Sequence, residues 1–156
     1  MALDHDHFIP HALEEAKRAN QEGNVPLGSL IVKGEEVVGV GRNQVETLLD
    51  PTAHAEVAAM RDACRRLKTA DLRGTILYTT MEPCPMCLWA IQEGRIKCLV
   101  LGARHKEMRR TVYGDYSVEG LMTMTRRKLD MVTGVRVAEC EAARRSHSLW
   151  VEPPPD

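Results

Sequence analysis

The chain has no apolar run approaching the roughly 20 residues that a bilayer-spanning helix needs, so no membrane segment is expected. Its start also lacks the basic stretch followed by an apolar one that would mark a secretory signal. Residues 1–8 carry Asp4, His5, Asp6 and His7 instead, which points to a protein that stays in the cytoplasm. There is no excess of charge of either sign. A formal net charge of −1 gives no global argument for a polyanionic partner, while a local basic patch remains compatible with it. Internal repeats, low-complexity linkers and any sign of a second domain are missing. The cysteines do not form an even set: there are 5, so a full disulfide framework is excluded. Cys64, Cys98 and Cys140 lie singly in helical or strand-like patterns and read as small buried hydrophobes of a reducing compartment.

What is present reads as one globular domain over residues 1–156, with 44% hydrophobic and 28% charged residues and a length sufficient for a core without staples. Apolar residues recur at helical spacing over 7–22, and Gly23-Asn24 supplies a stop. Strand-like runs over 27–33 and 36–40 flank Gly34-Glu35 and predict a hairpin. Gly28 in the first strand allows something to approach its backbone closely. A loop leads through Asp50-Pro51-Thr52 to helical periodicity over 53–67. A β-branched run over 75–80, a helix over 84–94 and a strand over 98–101 follow. Residues 104–119 are polar and aperiodic, containing Tyr113-Gly114-Asp115-Tyr116, and fit a long functional loop. A weak helix over 120–127, a strand over 129–133, a helix over 137–149 and an extended proline tail complete the chain. The alternation of strands and helices predicts an α/β domain with layered helices around a sheet.

The chemistry concentrates in Glu82-Pro83-Cys84-Pro85-Met86-Cys87 and His54-Ala55-Glu56. Side chains at i and i+3 neighbour each other on a helix, so Cys84 and Cys87 can present both sulfurs on one side of a first turn. Pro85 suits the first helical position, and the helix dipole favours thiolates there. A Cys-x-x-Cys alone leaves three readings open: a redox dithiol, half of a structural zinc site, or a catalytic centre. His54 decides among them, because it completes a three-ligand set with Cys84 and Cys87 and leaves the fourth tetrahedral position of zinc to water. Two thiolates and a neutral imidazole balance the ion's charge, and the bound water's pKa can fall towards about 7. Glu56 does not point along the same direction as His54. It reads as the proton shuttle between water, ring nitrogen and leaving amine.

His-x-Glu followed by Pro-Cys-x-x-Cys is the pattern of zinc deaminases acting on cytosine or adenine rings. Over residues 25–105 the chain therefore resembles the cytidine deaminase superfamily. The resemblance implies a three-layer α/β/α fold around a central mixed five-stranded sheet, one zinc per subunit and a homodimer. Within that superfamily three branches compete. Val25-Pro26-Leu27-Gly28 with Gly41-Arg42-Asn43 is similar to fungal-type cytosine deaminases and to bacterial tRNA adenosine deaminases, and implies that Asn43 hydrogen-bonds the substrate. The segments around His54 and Cys84 are similar to guanine deaminases and, slightly less closely, to the tRNA enzymes; guanine deaminases also carry an acidic residue where Asp115 stands. Trp150 followed by Glu152 is similar to the ending of the cytosine enzymes, where an aromatic ring closes over the base.

The tRNA enzymes carry a Gly-Ala-Ala-Gly-Ser loop and end in a basic helix; the loop is absent here, and Glu152 and Asp156 make the tail acidic, although Gly134-Val135 with Ala138-Glu139-Cys140 is similar to the start of their last helix. The expected substrate is thus a free nucleobase, cytosine-like first and guanine second, with Asn43, Asp115 and Trp150 contacting it and nucleic acid a minor option. A tRNA-specific adenosine deaminase is the enzyme alternative. A zinc-stabilised interaction module without turnover is the alternative from another class, and Glu56, which ligates nothing, argues against it. His5, His7 and His11 read as a solvated tail, and Arg109-Arg110, Arg126-Arg127-Lys128 and Arg144-Arg145 as solvated faces or ion pairs. Trp89 reads as packing or dimer contact, and Met81 and Met86 as core.

Overall fold

A computed structural model describes residues 3–155; Met1 and Ala2 of the N-terminal stretch and Asp156 of the acidic tail lie outside the described residues. The chain runs α1 (His5–Gln21), β1 (Gly28–Lys33), β2 (Glu36–Arg42), α2 (Val45–Leu48), α3 (Ala55–Leu67), β3 (Thr75–Met81), α4 (Pro85–Glu93), β4 (Cys98–Ala103), α5 (Val118–Thr125), β5 (Asp130–Val132) and α6 (Val137–Arg145). The strands form one mixed sheet of order β2-β1-β3-β4-β5. β1 pairs antiparallel with β2 and β3, while β3, β4 and β5 run parallel. Parallel neighbours require crossover connections, and α4 and α5 supply them.

Because strand side chains alternate between faces, each central strand feeds two separate cores. Leu30, Val32, Tyr78 and Val100 pack with Phe8, Ile9 and Ala12 of α1 and Cys140 of α6. Ile31, Leu77, Leu99 and Leu101 pack with α3, α4 and α5 through Ala59, Ala63, Leu88, Ile91 and Met122. The result is the expected three-layer α/β/α arrangement. No helix among the described residues is long and apolar enough to cross a membrane.

Glycine governs how closely the layers approach. A Cβ on Gly28 would overlap the Ala12 carbonyl oxygen of α1, and one on Gly41 would overlap the Ala55 carbonyl oxygen and the Ala59 nitrogen of α3. The close approach anticipated at Gly28 is therefore made by α1. Gly41 performs the same service for the helix that carries Glu56. Gly41→Ala forces α3 off the sheet, and by the cost of overpacking it should lower the unfolding free energy by about 1–3 kcal/mol, read from denaturant midpoints at constant slope. An unchanged midpoint would mean that α3 can shift freely.

Several local expectations change. His5, His7 and His11 lie in α1 and not in a solvated tail, because the Asp4 side chain accepts from Asp6 N to cap the helix and Phe8 and Ile9 bury against the sheet. The His5 Nδ1 is 2.9 Å from the Tyr78 hydroxyl. Within the loop after β2, Asn43 Oδ1 accepts from Val45 N and starts the short α2. Met81 is core, but Met86 is 38% exposed. Cys140 is buried, whereas Cys64 and Cys98 are only half-buried. The last helix stops at Arg145, where the Ser146 hydroxyl donates back to the Ala143 carbonyl.

Candidate active site

Two helix N-termini meet at the carboxyl end of β3. His54 is the N-cap of α3, in extended conformation, one step outside the first turn expected for it. The shift arises upstream, where the Thr52 amide and hydroxyl both donate to Asp50 Oδ1 at 2.8 and 2.7 Å and hold the chain in a turn until His54. Cys84 is the N-cap of α4, and its sulfur accepts from Cys87 N. Both caps thus direct their side chains into one space at the positive ends of two helices.

His54 Nδ1 lies 3.5 Å from each of the Cys84 and Cys87 sulfurs. The three donor atoms all fall within 4.8 Å of one another. Zinc bonds of about 2.3 Å to sulfur and 2.0–2.1 Å to nitrogen at tetrahedral angles separate the two donor types by about 3.5 Å. The donor set therefore matches zinc in both chemistry and spacing. Without an ion, the three groups share protons among themselves. The hydrogen bond with Cys87 pulls the Cys84 thiol down to about 4, against the upward push of burial and with help from His54. Sharing that proton, and burial, push Cys87 up. The bond to Cys84 raises His54.

Glu56 is 4% exposed, and burial raises its carboxyl above the usual range, which suits a group that must both take and give a proton. Thr79 donates to Glu56 Oε1 at 3.2 Å and itself accepts from Ser29 at 2.9 Å. The two residues face each other across the β1–β3 ladder, so the sheet fixes the carboxylate's orientation. A cavity of about 160 Å³ collects Asn43, His54, Glu56 and Cys84 in its wall. That is below the roughly 300 Å³ of a drug-sized pocket, and suits a single flat ring.

Asn43 thus lines the cavity while its Oδ1 accepts from Val45 N ahead of α2. Asp115 and Trp150 do not line it. Asp115 is exposed beside a different hollow with Arg109 and Ser117, because the 104–117 loop turns Tyr113 inward in its place. Trp150 stands behind the wall: the Arg144 guanidinium lies 4.9 Å over its ring, and its Nε1 donates to Glu152 at 2.9 Å. Trp89 is half-buried on α4 under Arg127, also outside the cavity wall.

The remainder of the wall includes residues to which the sequence assigned other roles or none. Glu82, His105, Arg110, Tyr113 and Arg144 all contribute. Arg110 and Arg144 correct the expectation that the arginine pairs are solvated or ion-paired, since the Nε of each is buried and meets no partner among the described residues. Their neighbours behave as anticipated: Arg145 pairs with Glu141 and Glu152. Arg109 instead donates to the carbonyls of Pro153 and Pro154 at 2.9 and 2.7 Å and ties the tail to the loop. Glu82 is the hub beneath the cavity. It accepts from Arg104 Nε, His105 N and Val118 N at 3.0, 3.1 and 2.9 Å. The only trace of these roles in the sequence is position: Glu82 adjoins the metal motif, and Thr79 is a polar residue in an apolar strand.

The cytidine and deoxycytidylate deaminase zinc-binding region matches residues 3–103. The chain belongs to this deaminase family, and its cofactor is zinc. It is 48% identical over 102 residues to a tRNA-specific adenosine deaminase of Aquifex aeolicus, covering 65% of this chain and 68% of that one. It is 40% identical over 114 residues to a guanine deaminase of Bacillus subtilis, covering 72% and 73%. Among solved structures, one from a study of A-to-I editing by tRNA:A34 deaminases at the wobble position superposes with a TM-score of 0.77 at 33% identity, covering 88% of this chain and 98% of the other. The deaminase is thus an aminohydrolase by family. The expectation of a free cytosine-like base or guanine is overturned, since several relatives at 40–48% identity are named tRNA-specific adenosine deaminases and the structure from the tRNA:A34 deaminase study shares the fold at 33% identity. The acidic tail at Glu152 that argued against tRNA lies beyond residue 103, outside the region that the family matches.

Proposed function

We propose that the chain is a zinc-dependent deaminase that converts an adenosine of tRNA to inosine. The observation that carries this reading is the 48% identity to a tRNA-specific adenosine deaminase over 102 residues. In this reading His54, Cys84 and Cys87 hold the ion. Zinc supplies Lewis acidity that brings a water's pKa towards about 7.

The protein's own groups do the rest. Glu56, fixed by Thr79, takes a proton from the attacking water and gives it to the purine ring nitrogen, then takes a second proton from the newly added hydroxyl and gives it to the amine, which departs as ammonia. Asn43 offers its side-chain amide to the base, and Tyr113 contributes an aromatic wall against which a ring can pack. The small cavity supports a mechanism in which a single base is turned out of an RNA loop and enters alone. Five unbridged cysteines suit action in the reducing cytoplasm, and the exposed Met86 and half-buried Trp89 of α4 suit a homodimer contact.

The test is release of ammonia by the zinc-loaded protein from a tRNA anticodon stem-loop with adenosine at the wobble position, set beside free adenosine and adenine. Turnover of the stem-loop is expected to exceed that of either small compound by orders of magnitude in kcat/KM. Equal or greater turnover of adenine would overturn the reading.

A further inference from the structure

Two arginines in the cavity wall have no counter-charge. Arg110, in the 104–117 loop, and Arg144, on α6, are both half-buried. Arg42 and Arg104, also half-buried, behave differently: the first holds Glu15 and Glu22, the second Glu82 and Glu119. Neither Arg110 nor Arg144 forms an ion pair with a described residue, and the Nε of each is buried without a hydrogen-bond acceptor. The carboxylates of the cavity are already engaged, Glu56 by Thr79 and Glu82 by Arg104. Desolvating a guanidinium without a partner is costly, and two like charges sharing one cavity add to that cost. Burial lowers Arg144 to about 10, with Arg110 pushing the same way.

A third group adds an independent sign of a ligand. His105 is 6% exposed, and both its ring nitrogens are unpartnered, although it lines the same cavity. Burial lowers its pKa, so it stands as a neutral imidazole able to donate one hydrogen bond. The Trp150 ring 4.9 Å below the Arg144 guanidinium carbon limits where that group can move, and a positioned guanidinium fork suits bidentate recognition of a phosphate. The cavity has room for a base and not for a nucleotide, so an anion attached to that base must be met at its edge.

We propose that Arg110 and Arg144, assisted by His105, form a phosphate subsite that grips the RNA backbone next to the adenosine being deaminated. This rests on the tRNA reading above. The same chemistry would accept the phosphate of a free adenosine 5′-monophosphate, so the test separates the two sources.

The experiment compares the zinc-loaded protein with its Arg110→Gln and Arg144→Gln variants on three probes. These are the anticodon stem-loop, the same stem-loop with neutral methylphosphonate linkages flanking the target adenosine, and adenosine 5′-monophosphate. Charge-assisted hydrogen bonds to phosphate predict that the neutral linkages raise the unmodified protein's KM about 10- to 100-fold with kcat little changed. Each variant should show a similar rise on the ordinary stem-loop and little further loss on the neutral one. The methylphosphonate arm needs no variant, so a variant that fails to fold does not remove the test. Turnover of the stem-loop with no response to either change would overturn the subsite and leave the tRNA reading standing. If no stem-loop is turned over, that reading fails, and the subsite is judged by calorimetric binding of inorganic phosphate: binding lost in both variants supports it, and no binding to the unmodified protein overturns it. Turnover of adenosine 5′-monophosphate alone, sensitive to both variants, would overturn RNA as the source of the phosphate.

Discussion

Glu56→Gln should keep about one zinc per chain and lose roughly 100- to 10,000-fold in kcat, the range that general acid–base catalysis supplies. The substitution preserves volume and one acceptor for the Thr79 hydroxyl, so the buried side chain keeps its place between β1, β3 and α3. What it removes is a group able to take a proton and give it back. The KM for the stem-loop should change little, since Glu56 is asked to act on protons and not to hold the substrate. Zinc content measured on the purified variant separates the two roles available to this carboxylate. Retained zinc with lost turnover fits a shuttle, whereas lost zinc would make Glu56 a ligand and reassign the centre.

Glu82→Ala should be the most destabilising of the single substitutions considered, at about 3–5 kcal/mol, because it removes one partner of a buried ion pair. Glu82 is 3% exposed, and its carboxylate joins the segment before Cys84 to Arg104 and His105 after β4 and to the first amide of α5. Without it Arg104 keeps only the exposed contact with Glu119, and two backbone amides lose their acceptor. For a domain of this size the loss corresponds to a melting temperature lower by roughly 10 °C. Glu82→Gln retains an acceptor for the amides but not the charge, and should fall between the two. A loss below about 1 kcal/mol for the alanine variant would show that water replaces the carboxylate and that Glu82 is no hub. Tyr116, whose hydroxyl donates to the Pro83 carbonyl at 2.6 Å, ties the same loops and should soften the loss without removing it.

The parts of this protein that were legible beforehand are those where chemistry is local in the chain. Cys84 and Cys87 sit one helical turn apart, and His54 and Glu56 share a dipeptide step, so spacing alone assembled most of the centre. Gly28 announced a close approach because no other residue permits one. The periodicities of α1, α3 and β3 were read to within a few residues, since each has one or two strongly apolar faces. What was not legible depends on distant segments meeting. Arg110 and Arg145 look alike in sequence; only packing of the 104–117 loop against α6 leaves one in the cavity without an acid while the other pairs with Glu141. The substrate was misread for a related reason. The choice of a free base leaned on an absent loop, an acidic tail, Asp115 and Trp150, and the last two lie outside the cavity wall.

The central claim is that this centre replaces the amine of one adenosine in tRNA by an oxygen from water. It is tested most directly by incubating the zinc-loaded protein with the anticodon stem-loop in water enriched in heavy oxygen and analysing the RNA by mass spectrometry. One adenosine should become inosine carrying the heavy oxygen, with ammonia released in equal amount and conversion by Glu56→Gln slowed at least about 100-fold. An RNA that remains unchanged while adenine or guanine is deaminated would contradict the account.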